Sequence, residues 1–532
     1  MRFNAKLCIS FILLCHILGS SAKPHGLSLK QSFLDRLHHF IKNFKSAAEC
    51  DACKAFVDIA QVAFKTKPSE DDIVSFLTKV CIKMKIEDKT VCDGIIKEFR
   101  QEVLTVFDDY FISSNEICGS LLGPSCATKP NPDIFWNVTF PKTPKPPVRP
   151  IPPPKAGSPV IRVLHISDIH LDPLYQEGAS SDCGEPLCCR KTDPQAEPGN
   201  GAGKYGDYAC DTPLITLENM LKHINDTQEF DYALWTGDIP AHNVWNQSRA
   251  DQLQALDYAV KLILEYLPNK VIFPALGNHE SSPVNSFPPP SITGPDSNQW
   301  LRDSLASHWH HWLPDYTMST IKKGAYYTVL ISKGLRIISL NMNYCNNMNW
   351  WLLLNDVDPA HQLQWLVDTL QEAEDNGEKV HIIGHIPPGS GDCLRAWSWN
   401  YYSIINRYQS TVTAQFFGHT HNDEFEIFYD EETSKIPLSI AYIGPSVTPF
   451  QGHNPGYRIY TVDGNYANSS RVVLDHETYI LDLEKANKGN VTWELEYKAK
   501  EAYKMKSLLP AEWDNLVNRM ATDKDLLEMV YK

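Results

Sequence analysis

His419 and His421 stand one residue apart, directly behind the apolar run Ala414–Phe417 and a single glycine. Histidines so placed can ligate metal at the end of a strand. Four other apolar runs end the same way. Val160–Ile166 leads to Asp168 and His170, and Tyr232–Trp235 leads to Asp238, with His242 four residues on. Val271–Leu276 leads to Asn278 and His279, and Lys379–Ile383 leads to His385. Several of these steps pass through glycine, which lets a backbone turn sharply. Ligands of α/β sheets gather at strand ends. A lone histidine after a strand is usually a packing residue, but five such clusters are hard to reach by accident. Two Asp, one Asn and four His without thiolate suit two borderline divalent cations such as Zn2+, bridged by one carboxylate.

The elements that must position these residues read as a layered α/β domain. Strands are expected at the five runs above and at Leu335–Leu340, and helices at Ala250–Tyr266 and Ala360–Glu374. This catalytic unit should span 160–464, followed by a C-terminal helical region, 465–532, packed on it. Asp172 and Asp423 lie outside the motifs and read as turn or solvated residues. A proline-rich linker, 131–159, carries nine prolines between 141 and 159 and should be an extended spacer. Ahead of it, 46–130 holds Cys50, Cys53, Cys81, Cys92, Cys118 and Cys126 among helically spaced apolar residues such as Phe56, Ile59, Ala60, Ala63 and Phe64. That pattern predicts a small all-α domain stapled by disulfides. The Cys50–Cys53 pair has no second CxxC to complete a zinc site.

Residues 1–22 have the basic start, apolar run and small-residue end of a secretory signal, and no stretch is long and apolar enough to predict a transmembrane anchor. Twelve cysteines remain beyond the signal, as an oxidising compartment would use them. Sequons begin at Asn137, Asn225, Asn246, Asn468 and Asn490. A formal charge of −15 argues against nucleic acid as a partner. Protonating all 19 histidines would bring it to a ceiling of +4, so anionic lipid surfaces become accessible partners in acid.

The series D-x-H, G-D-x-x-x-H, G-N-H-E, G-H and G-H-T-H resembles the calcineurin-like metallophosphoesterases. The six-cysteine helical segment resembles the saposin family. Longer strings, "GNHESSPVNSFPPP" and "AQFFGHTHNDEFEIFYDEET", are similar to the acid sphingomyelinase family, and the likeness runs over roughly 46–530. The resemblance implies central β-sheets flanked by helices, preceded by a saposin-like domain. It implies two Zn2+ ions, one held by Asp168, His170, Asp238 and His421, the other by Asp238, Asn278, His385 and His419. His242 and His279 are implied as the transition-state stabiliser and the leaving-group acid, in either order, and Asn285 as a substrate contact. The implied disulfides are Cys50–Cys126, Cys53–Cys118, Cys81–Cys92, Cys183–Cys188, Cys189–Cys210 and Cys345–Cys393. The implied reaction is hydrolysis of membrane sphingomyelin to ceramide and phosphocholine in acid, by in-line attack of a hydroxide bridging two metals. The saposin-like domain would present the lipid, and the protein would be lysosomal or secreted. Departures are Asn346-Asn347-Met348, where the vertebrate enzymes carry an acidic residue, Phe450 in place of a tyrosine, and a chain that stops at Lys532 without their cysteine-rich tail. Two other readings compete: a phosphodiesterase for nucleotides or other soluble phosphodiesters, and a non-enzymatic lipid-binding protein.

Overall fold

A computed structural model describes residues 54, 70–83, 87–108, 136–197 and 199–530. The signal, the 56–64 periodicity and the Cys50–Cys126 and Cys53–Cys118 pairs lie outside the described residues. Helices α1 (Glu70–Lys83) and α2 (Lys89–Asp108) are joined by the Cys81–Cys92 disulfide. Three further bridges link Cys183–Cys188, Cys189–Cys210 and Cys345–Cys393. Residues 136–143 run along the catalytic unit. Val138 N–H donates to Asn400 Oδ1, and Thr139 exchanges two hydrogen bonds with Gln364.

Two six-stranded sheets form the body. The first has the order β12-β11-β10-β1-β2-β3, in which β1 (Val160–Ile166), β2 (Tyr232–Trp235) and β3 (Val271–Pro274) are parallel. The second has the order β4-β5-β6-β7-β9-β8. Its parallel centre is β5 (Leu335–Ser339), β6 (Lys379–Ile383), β7 (Val412–Phe417) and β9 (Pro437–Ile443). Antiparallel β4 (Tyr327–Ser332) and β8 (Glu424–Tyr429) form its edges. Crossover helices pack on the outer faces, because parallel neighbours need a crossover and both faces of such a sheet must be buried. These are α3 (Leu214–Thr227) and α4 (Arg249–Tyr266) on the first sheet, α5 (Gln362–Asp375) and α6 (Arg395–Arg407) on the second. Ser248 starts α4 with a reciprocal capping box to Asp251, which satisfies two backbone donors the helix leaves open. One apolar core joins the sheets, with Ile166, Leu234 and Ile459 from the first against Ile383, Phe416 and Tyr442 from the second.

The expected C-terminal helical region needs correction. Residues 465–532 contribute β11 (Val473–Leu481) and β12 (Trp493–Lys498), which pair antiparallel behind β10 (Gly456–Asp463) in the first sheet. Short helices fill only the remainder. These strands are half-buried and carry Glu477, which is bound to Arg162 and Lys498, so their polarity hides them from an apolar pattern. Asp172 does head a turn, accepting from Leu174 N–H at 2.9 Å, but neither it nor Asp423 is simply solvated. Asp172 is 1 % exposed and accepts from Arg190 Nε at 2.8 Å, and Asp423 pairs with the buried Arg458. Burial requires such a partner for each charge.

Candidate metal centre

The ligand candidates all follow the carboxyl ends of β1, β2 and β3 from one sheet and of β6 and β7 from the other. The two sheets pack face to face through their shared core, and five separate segments converge at this end. The turns are tight. Asp168, His170, Asp238, Asn285, His419 and His421 all have positive φ, between 40° and 75°. A non-glycine residue held there costs about 1–3 kcal/mol, strain that clusters at functional sites. A Cβ at Gly277 would lie 2.2 Å from Asp238 Oδ1, and one at Gly418 would lie 2.6 Å from Asp168 Oδ2. Glycine is needed at both positions because a carboxylate occupies the space a side chain would fill.

Asp238 sits at the centre. Its Oδ2 lies 3.4 Å from His170 Nε2 and 3.1 Å from His385 Nε2, one histidine from each side of the site. On one side His170 Nε2 lies 3.1 Å from His421 Nε2, and His421 Nε2 lies 3.7 Å from Asp168 Oδ1. On the other, Asn278 Oδ1 lies 3.0 Å from His385 Nε2 and 2.9 Å from His419 Nδ1. The ligand atoms of Asp168, His170 and His421 fall within 4.8 Å of one another, as do those of Asp238, His385 and His419. Among the described residues, the two cysteine groupings that could hold a metal are disulfide-bonded and offer no free thiolate.

This donor set fits a pair of cations on its own chemistry. His170 Nδ1–H donates to Pro240 O at 2.8 Å, and His385 Nδ1–H donates to Thr236 O at 2.7 Å. A carbonyl only accepts, so both imidazoles turn their Nε2 lone pairs inward, a common arrangement behind metal ligands. The Nε2 atoms of His170 and His421 face each other, which demands a proton or a cation between them. Burial opposes charging His170, yet Asp238, Asp211 and Asp168 pull its pKa up to about 9. His385 rises likewise to about 9 against burial, under Asp238, Asp168 and Glu280. The carboxylates thus create a field that calls for positive charge.

Behind the ligands lies a supporting layer. Asp168 accepts from Ser167 Oγ and from the backbone N–H of His419, and Thr236 Oγ1 donates to Ser167 Oγ. His279 N–H donates to Asp238 Oδ1 at 2.9 Å. His242 and His279 keep partial exposure while the ligands behind them are mostly buried. Their rings lie 4.7 Å apart, and His242 stacks on His170 at 3.9 Å. Phe450 covers the His242 ring at 4.6 Å. Asn285 N–H donates to Asn278 O, which ties that residue to the same turn.

Asp211 was not singled out from sequence. It is fully buried, accepts from His242 Nδ1–H at 2.7 Å and from His242 N–H at 2.6 Å, and also accepts from Thr448 Oγ1. Burial raises its pKa, but His242 and His170 outweigh this and hold it at about 2. The aspartate lies in a loop behind Cys210, with no apolar run to mark it. Glu280 was visible in "GNHE" without a role. Its Oε1 accepts from Ile239 N–H, and burial, with the Asp238 charge, lifts its pKa to about 7.

Family models agree with this architecture. Residues 161–423 match calcineurin-like phosphoesterase, and 48–85 match saposin-like type B, region 1. A human sphingomyelin phosphodiesterase is 47% identical over 525 residues, covering 96% of this chain and 82% of the human protein. The chain belongs to the sphingomyelin phosphodiesterase family. Within that family, sphingomyelin phosphodiesterase B of Dictyostelium discoideum is 38% identical over 91% of this chain and 76% of its own length. Among solved structures, a dimetal phosphatase from Danio rerio aligns with a TM-score of 0.36 and 14% identity, over 60% of this chain and 95% of that one. On the strength of the family match, the chain is a phosphodiesterase of metallophosphoesterase fold with a divalent metal site. Among the described residues, no helix is long and apolar enough to cross a membrane.

Proposed function

We propose that the protein hydrolyses sphingomyelin to ceramide and phosphocholine at acidic pH, using two Zn2+ ions held by Asp168, His170, Asp238, Asn278, His385, His419 and His421. The observation that carries this reading is Asp238 Oδ2, set within 3.4 Å of a histidine from each half of a two-part ligand cluster. Two divalent cations there would lower the pKa of a water molecule and neutralise phosphate oxygens, which in-line displacement at phosphorus requires.

The chain's own residues supply the rest. Asp211 accepts a hydrogen bond from Nδ1–H of His242, so Nε2 of that ring is the atom that meets the phosphate or the departing alkoxide. The buried Asp211 carboxylate also favours the imidazolium as charge develops. His279 is held by its backbone to Asp238 and presents its ring beside His242. Asn285 offers an amide to a phosphate oxygen.

The saposin-like segment supports a membrane substrate. Helix α2 packs its Val91 and Ile95 against Ala241, Val244 and Trp245, the residues that flank His242. A lipid drawn out by that domain would emerge next to the site. The five sequon asparagines are all exposed, and the four described disulfides suit an oxidising compartment, so the protein is read as a lysosomal or secreted glycoprotein. The test offers sphingomyelin liposomes and a nucleotide phosphodiester at pH 5, each with and without chelator. Phosphocholine release that the chelator abolishes supports the reading. Cleavage of the nucleotide alone would replace it with the soluble-phosphodiester reading.

A further inference from the structure

The segment Asn341–Asn349 carries five asparagines, and three of them brace the turns that carry the site. Asn343 Nδ2 donates to Gly277 O, next to Asn278, and Asn349 Oδ1 and Nδ2 clasp the backbone of Phe287. Between them, Asn346 is 2 % exposed and Asn285 is 9 % exposed. Asn346 is pinned by its neighbours: Cys345 is bridged to Cys393, Asn347 N–H donates to Asp392 O, and Leu394 N–H donates to Cys345 O.

An amide side chain can be turned end for end, and the hydrogen-bond network decides which end is which. Here the decision begins at a backbone atom. Met348 N–H donates at 2.9 Å to the Asn346 side chain, so the atom it meets is Oδ1. The opposite edge of Asn346 is then Nδ2, and it donates to Asn285 at 3.0 Å, so the atom of Asn285 that it meets is Oδ1. That leaves the Nδ2 of Asn285, with two N–H donors, on the remaining edge. Among the described residues nothing accepts from it. The backbone of Asn285 is meanwhile fixed at φ 64° and bonded to Asn278 O, so the residue has one orientation and one open donor group.

We propose that Asn346 is a positioning residue that sets the polarity of the Asn285 amide, keeping donors rather than an acceptor toward the anionic phosphate. The inference rests on the reading of Asn285 as a phosphate contact. An Asn346→Asp substitution reverses the polarity. A carboxylate accepts from Met348 N–H as before but cannot donate, so Asn285 must turn its NH2 toward it. The carbonyl oxygen of Asn285 then faces the phosphate and repels it. An Asn346→Ala substitution merely releases Asn285, which can still find its productive orientation.

The test measures kcat/KM on bis(4-nitrophenyl) phosphate and the inhibition constant for phosphocholine, in the metal-loaded full-length protein, with melting temperature recorded for each variant. A hydrogen bond to a charged group contributes about 1.5–3 kcal/mol, or about 10- to 150-fold. Asn285→Ala is expected to lower kcat/KM and weaken phosphocholine by that factor. Asn346→Asp should match it, Asn346→Ala should lose less, and the Asn285→Ala/Asn346→Asp double variant should be no worse than Asn285→Ala. A large effect of Asn285→Ala with a silent Asn346→Asp would overturn the proposal alone. So would a loss from Asn346→Asp, or from Asn346→Ala should the charged variant not fold, that persists undiminished in the Asn285→Ala background. Little effect of Asn285→Ala itself would remove the phosphate contact, and the proposal with it.

Discussion

Glu102 on α2 gives the sharpest physical prediction. It is 3 % exposed at the seam between the saposin-like helix and the catalytic unit, and neither carboxyl oxygen makes a hydrogen bond of good geometry. Phe99, one turn earlier, packs on Trp350 at 5.0 Å, and Thr105 donates to Asp296. Burial drives the Glu102 pKa up to about 8, and Asp296 adds to this, against weaker help from Ser286 and the Trp350 backbone. The sign follows directly. A carboxyl whose pKa is raised by docking carries no penalty below about 4.5, a growing penalty from there to about 8, and its full penalty above. Each pKa unit is about 1.4 kcal/mol. Between pH 5 and pH 7.5 the docked state should therefore lose on the order of 3 kcal/mol, about 150-fold in the docking equilibrium. The assay is hydrogen exchange of amides 89–106 at both pH values, corrected for intrinsic rates. Wild type should lose protection at pH 7.5, and Glu102→Gln should keep its pH 5 protection at pH 7.5. The same pH-dependent loss in both proteins, or none in wild type, would refute the reasoning.

Two further perturbations bear on the site and its support. Asp211→Ala should cut kcat by about 100-fold or more, since it unfixes the His242 tautomer, while bound metal measured by mass spectrometry stays unchanged. Gly94→Val should undock α2, because a Cβ at Gly94 would lie 2.1 Å from Trp245 O. Its activity on sphingomyelin liposomes should fall well below its activity on a soluble phosphodiester, and equal losses would mean that the helix supports folding and does not present lipid.

The site was legible in sequence where chemistry follows an apolar run at once. Each ligand candidate sits two to four residues beyond a parallel strand, and glycine marks most of the turns. What surrounds the ligands was not. Asp211 meets His242 from a disulfide-tied loop 31 residues away, and only the fold brings them together. The pairing of Asn346 with Asn285 spans 61 residues and involves residue types that otherwise read as turn formers. Glu102 lies on an amphipathic helix, where a carboxylate reads as part of a solvated face until another domain covers it. The division into two sheets was hidden because strand pairing is a tertiary choice. The outer strands β11 and β12 escaped because they bury one side and solvate the other with charges. Edge strand β4 was missed as well, though its "YTVLIS" run is largely apolar.

The central claim is a two-metal centre bridged by Asp238. The most direct measurement is zinc content per chain, by mass spectrometry, of wild type and Asp238→Ala purified side by side, with phosphocholine release at pH 5 from the same samples. The account predicts two zinc ions per wild-type chain, loss of both in the variant because the bridging carboxylate belongs to each, and no turnover. A variant that keeps appreciable sphingomyelin hydrolysis, or a wild type that turns over fully with no bound metal, would contradict it.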